Sequence, residues 1–262
     1  ITSWGEKSRS EILTDPDHVI IHTCIDNFCL KENGKFEDRY FPGLKEYFEK
    51  HNKKVSVLTW FSNITKINRF DTFRWFRNND QSFIIPQDFY NLWDIFLSMF
   101  VVIKSGYLPI KNVLFNNFDL EVLLICEQKL QRRNTGAAYF INHIKMFENF
   151  KAKGYSVQTF VDTWELKFCE VPALIGLKTN FPECKTIGIQ HTALVPRLLF
   201  ANYKTTTEEF NSSIHADILL TNSEVTKLFL SSEGFPMDKI HIGPAFRYRY
   251  LNQKTTLNQL VL

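Results

Sequence analysis

Short apolar runs rich in β-branched residues alternate with amphipathic stretches of helical period along this chain. HVIIHTCI (18–25) has the composition of a buried strand. A polar loop, DNFCLKENGKFEDRYF, follows it. PGLKEYFEKHN then places Leu44, Tyr47 and Phe48 on one helical face, and KKVSVLTWF predicts a second strand. The opening is therefore strand, loop, helix, strand, the start of a parallel sheet. A helix is predicted over 68–79 and a short strand at SFIIP, 82–86. Asp88 is expected to cap a helix that runs through Val102. Residues 118–150 read as long, amphipathic helix with a break near Asn134 to Gly136, closed by Gly154.

The second half repeats the alternation with short connections. YSVQTFVD (155–162) predicts a strand, and Glu170 with Pro172 opens a helix, since proline is tolerated in a first helical turn. KTIGIQH and ADILLTN (216–222) predict two more strands. SEVTKLFLSSEGF is a helix stopped by Gly234, and DKIHIGP (238–244) a last strand. The fold expected is α/β, with an open, doubly wound, Rossmann-like and mostly parallel sheet. Residues 1–17 are expected to be an extension, 18–246 the folded domain and 247–262 a linker.

Composition narrows the classes. With 262 residues, 44% hydrophobic and 23% charged, the chain is globular. Its net charge of +3 offers no clustered basic face, so nucleic acid is not an expected partner, although weak contact with anionic lipid is allowed. The five cysteines, at 24, 29, 126, 169 and 184, are scattered. That excludes a disulfide framework or zinc module and points to a reducing, cytoplasmic setting. The most apolar stretch, LWDIFLSMFVVIKSGYLPI, carries Asp94 and is closed by Lys104 within about a dozen residues, short of the roughly 20 apolar residues a span requires, and it is expected to be a core helix. A first residue of Ile leads us to expect a piece of a longer chain.

In doubly wound sheets, ligands bind beyond the carboxyl ends of the strands. The predicted strand ends carry Asp26 and Asn27; Trp164 and Glu165; Gln190 and His191; Asn222 and Ser223; and, after the last, Arg247. Each has a structural reading as well. Asp26 fits a turn, and Thr221 to Glu224 fits a capping box, although amides at that helix start suit an anion. Glu165 fits a solvated loop carboxylate, Arg247 ordinary surface charge, and His22 the core. His191 can donate, accept or move a proton near neutral pH. The chain lacks G-x-G-x-x-G, P-loop, G-x-S-x-G and H-E-x-x-H signatures, which removes the corresponding dinucleotide, NTPase, hydrolase and zinc-protease readings.

Four segments together resemble the N-terminal half of a GT-B glycosyltransferase of the bacterial surface-carbohydrate (O-antigen or capsule) type: FEDRYFPGLKEYFEKHNKKVSVLTW, FVDTWELKFCEVPALIGLK, TIGIQHTALVP and ADILLTNSEVTKLFLSSEGFPMDKIHIGPAFRY. The resemblance implies an acceptor-side domain. Its nucleotide-sugar donor would be held mainly by a second domain not in this sequence, with no metal cofactor and a saccharide or lipid-linked acceptor. Glu165, His191 and Asp26 become candidate bases for the acceptor hydroxyl. Asn27, Gln190, Asn222, Ser223 and Arg247 become acceptor-binding groups, and Trp164 a platform for a sugar ring. Contact with the inner face of the cell membrane is expected through Leu194 to Phe200. Two alternatives stay open: a GT-B relative such as a sugar-nucleotide epimerase or polyol-phosphate transferase, and a non-catalytic α/β binding module.

Overall fold

The computed structural model describes residues 11–31, 35–61, 69–79, 81–111, 113–115, 118–131, 135–164, 169–191 and 215–246. In chain order the elements are β1 (Val19–Ile25), α1 (Leu44–Lys50), β2 (Val55–Phe61), α2 (Arg69–Asn78), β3 (Phe83–Ile84), α3 (Leu92–Ser105), β4 (Leu114–Phe115) and β5 (Phe118–Asp119). They continue with α4 (Glu121–Gln131), α5 (Thr135–Ala152), β6 (Thr159–Thr163), α6 (Glu170–Asn180), β7 (Lys185–Ile189), β8 (Ile218–Thr221), α7 (Glu224–Ser232) and β9 (Ile240–Ile242).

Seven strands form one sheet in the order β3-β2-β1-β6-β7-β8-β9, and every pairing in it is parallel. The architecture is the expected open, Rossmann-like α/β sheet. Val19 sits opposite both Val55 and Thr159, so the chain winds outward through β2 and β3, then returns to β6 and winds the other way. The switch point lies between β1 and β6, and the crevice it creates opens at their carboxyl ends.

Both faces of β1 are buried, which is why its pattern is a continuous apolar run. Ile20, Leu58 and Phe160 meet Met146, Phe147 and Phe150 of α5 and Leu174 and Leu177 of α6 on one face. Ile21 and Val161 pack with Phe41 and Leu44 on the other. Helices α5 and α6 touch closely at Gly176, where an added Cβ would lie 2.7 Å from the Ile144 Cα. Gly176→Ala is therefore expected to destabilise the fold by about 1–3 kcal/mol from overpacking, partly offset by alanine's better helix propensity. A urea midpoint no lower than wild type would show that the helices part freely.

Several local expectations are corrected. Pro86 starts a 3-10 turn, Pro86–Phe89, and α3 is capped by Asn91 rather than Asp88. Asn91 Oδ1 accepts from Asp94 N at 3.0 Å, and Asn91 N donates to Asp94 Oδ2 at 2.9 Å. Asp88 instead pairs with Arg77. Tyr47 points outward while Leu44 is buried, and Phe118–Asp119, expected to start a helix, form the second strand of a hairpin, β4–β5, ahead of α4. The strand read at 155–162 begins at Thr159. The helix expected to lie in the core, α3, is largely exposed. Among the described residues no helix is long and apolar enough to cross a membrane. The described cysteines are free, and all but Cys126 are buried.

Candidate functional site

The loop leaving β1 closes on itself through Asp26. Its Oδ1 accepts from Phe28 N at 2.8 Å and Cys29 N at 3.2 Å, while Oδ2 forms an ion pair with Arg39 at 2.8 Å. Both carboxylate oxygens thus serve to shape the loop, and Asn27 sits within that turn. Arg39 also lies over the ring of Phe28, 5.1 Å from its centroid.

The next turn of the same loop is built by Asp38, a residue our sequence reading passed over. Asp38 Oδ1 takes three donors: Tyr40 N at 2.8 Å, Phe41 N at 3.0 Å and Thr23 Oγ1 of β1 at 3.1 Å. The three bonds favour the carboxylate, yet burial outweighs them and pushes the pKa up to about 6. A carboxyl poised there can hold or release a proton near neutral pH. The signal in the sequence was an Asp two and three residues before the backbone amides of a turn that precedes a helix, a pattern that equally marks an ordinary turn.

Tyr40, fixed by that turn, meets His191 edge-on, with ring centroids 4.8 Å apart. Burial is the main reason its phenol is held above the usual tyrosine range. Gln190 directly follows β7 and bridges to the residue after β8, its Oε1 accepting from Asn222 N at 3.1 Å. Gln190 thereby continues the sheet one step beyond the ladder, which explains a glutamine at the tip of a buried strand. Tyr40, Gln190, His191, Asn222 and Phe246 line a narrow crevice with no room for a water molecule. The structure thus brings Asp26, Gln190, His191 and Asn222 to one rim, with His191 packed behind Tyr40 and only 7% exposed.

A pocket of about 2070 Å³ lies alongside, over the sheet, bounded by Ile187 and Leu220 and by the buried Ile21 and Val161. Charges of both signs line it, Lys31, Arg39 and Lys45 among Glu37, Asp38 and Glu46, and Phe28 and Tyr47 are exposed aromatic rings on its wall.

Two expected ligand groups serve the fold instead. Trp164 is buried in the core cluster with Leu219, Leu230 and Ile240, its ring against Phe235 at 5.4 Å, so it offers no face to a sugar. Ser223, not Thr221, caps α7, its Oγ accepting from Thr226 N at 3.2 Å. Thr221 is the last residue of β8 and donates its hydroxyl to the carbonyls of Ser223 and His241. Glu165 and Arg247 lie outside the described residues, as does Leu194 to Phe200.

Beneath the switch point sits a buried polar group. His22 Nδ1 stands 3.0 Å from Asp162 Oδ1 without the alignment of a hydrogen bond. Thr163 Oγ1 donates to Glu170 Oε1 at 2.5 Å. The His143 ring lies 6.0 Å from that of His22. Burial lowers the His22 pKa to about 4, with Glu170 pulling the other way, and lowers His143 to about 3. As expected from the sequence, His22 belongs to the core. Among the described residues no cluster of His, Cys, Asp and Glu is placed to hold a metal ion.

Comparison with known families, curated proteins and solved structures finds no match to this chain. The functional reading rests on the geometry of the rim and cleft and on the sequence resemblance.

Proposed function

We propose that this chain binds a hydroxyl-bearing saccharide in the cleft beside the switch point, as the acceptor side of a glycosyltransferase fed by a nucleotide sugar. The single observation that carries this reading is Asp38, a carboxyl that burial pushes up to about 6, on the wall of the large pocket that runs over the sheet. Inverting transfer needs a base that takes the acceptor proton as the new bond forms. All three donors to Asp38 use Oδ1, so Oδ2 is the oxygen that takes this proton. Exposed Phe28 and Tyr47 provide the stacking surface that Trp164 does not. His191 and Gln190 support the site from behind, through Tyr40 and the β7–β8 junction.

The test is turnover of the full-length protein with a panel of nucleotide sugars and saccharide acceptors. Because His191 acts through Tyr40, His191→Ala is expected to raise KM for the acceptor about tenfold while kcat changes less. An unchanged KM would remove His191 from the site. A non-catalytic binding module is the second reading, favoured by the use of Asp26 and Ser223 for a turn and a cap. Saccharide binding without turnover in the full-length protein would select it.

A further inference from the structure

Helix α3 turns its polar side toward the protein and its apolar side outward. Asp94, Ser98 and Val102 form the buried side. Ser98 Oγ donates to Asn142 Oδ1 of α5 at 2.5 Å, and Asp94 is consumed in the cap. The opposite side carries Leu92, Trp93, Phe96 and Phe100, which are 85%, 63%, 59% and 54% exposed. Trp93 and Phe96 stack on each other at 5.5 Å in the open. A side chain pattern of this kind is normal for an amphipathic helix; its orientation is the reverse of what a water-facing helix requires. A contiguous patch of this sort marks a surface with a partner.

The chemistry of the patch selects the partner. Between Asp94 and Asp119 the sequence contains no acidic residue and two basic ones, Lys104 and Lys111, both exposed. Trp93 stands in the first turn of α3, and Tyr107, 68% exposed, just beyond its end. Indole, phenol and lysine at the ends of an apolar face suit the boundary between headgroups and acyl chains. A face built for a second copy of the chain gathers its aromatic anchors centrally, inside a polar rim. At 14 residues α3 is about 21 Å long, too short to span a bilayer but sufficient to lie along one.

We propose that α3 docks this protein on an anionic lipid surface, its Trp93–Phe96–Phe100 side sunk into the interface and Lys104 and Lys111 on the headgroups. The inference does not depend on the glycosyl-transfer reading. The test is flotation of the full chain with phosphatidylglycerol–phosphatidylcholine vesicles and with phosphatidylcholine alone. Wild type is expected to float with the anionic vesicles and bind the neutral ones more weakly. Combined Phe96→Ser and Phe100→Ser is expected to lower partitioning about a hundredfold. Both rings are exposed, so an unchanged thermal melt keeps this outcome separate from unfolding. Lys104→Glu with Lys111→Glu is expected to remove the preference for anionic lipid while weak binding to neutral vesicles persists. Wild-type protein left at the bottom of both gradients would overturn the proposal. So would a dimer, seen by sedimentation, that Phe96→Ser and Phe100→Ser dissociate and that binds no vesicles.

Discussion

Lowering the pH from 7 to 4 is expected to unfold this chain cooperatively, because buried neutral histidines must take up protons. His18 is the clearest case. Its Nδ1–H donates to Ser156 O at 2.7 Å, which leaves Nε2 to accept from Ser56 Oγ at 2.9 Å; Ser56 Oγ is in turn 2.8 Å from Ser82 Oγ. A second ring proton has nowhere to go without breaking that chain, and burial lowers the His18 pKa to about 4. His143 donates from Nδ1 to Phe140 O at 3.0 Å, and burial lowers it to about 3. For a group whose folded pKa is depressed, the stabilisation is complete above the unfolded value near 6.5 and is lost as pH falls through the folded value. Shifts of this size are each worth on the order of 3 kcal/mol. His22 adds to them, softened by Glu170. Together they rival the whole stability of a typical domain, about 5–15 kcal/mol. Urea midpoints measured between pH 7 and 4 should fall steeply, and His143→Phe should flatten the slope by about one proton. A midpoint that stays level to pH 4.5 would show that these rings are already charged, or already wet, in the native state.

If the proposed transfer reading holds, Asp38→Asn in the full-length protein is expected to cut turnover by about a hundredfold or more, the usual contribution of a positioned base. It is also expected to abolish an acid limb in the rate profile near pH 6, the value to which burial pushes this carboxyl. The substitution separates chemistry from folding. Asn Oδ1 can still accept from Tyr40 N, Phe41 N and Thr23 Oγ1, so the turn survives. The sign of the stability effect is opposite to that of the histidines. A carboxyl with a raised folded pKa stabilises fully below its unfolded value near 3.8, and that contribution disappears as pH rises through about 6. At pH 7 the variant should therefore be no less stable than wild type. Wild-type turnover in a folded Asp38→Asn protein would end the assignment, whatever became of the acid limb.

The chain's periodicities determined much by themselves. β-branched runs separated by helical stretches dictate a parallel α/β sheet, because parallel strands need crossovers and right-handed crossovers leave few topologies. That sheet in turn dictates a rim of polar strand ends, and Asp26, Gln190, His191 and Asn222 do share it. Local signals could also be read two residues out of place, as at the α7 cap, where Thr221 and Ser223 are both good cap residues and only the strand pairing of Thr221 decides between them.

Three features were decided by tertiary structure alone. Trp164 lies in the core because Phe235 and Leu230, distant in sequence, close around it. Asp38 acquires its pKa from burial, a property of everything packed near it and of no local motif. Helix α3 is the third. Its spacing establishes an apolar and a polar side, but periodicity carries no direction toward the core. Only the contact with α5, through Ser98 and Asn142, shows that the polar side faces in. Period is a one-dimensional quantity carried by the sequence; which side meets the protein is set by what the rest of the chain places there.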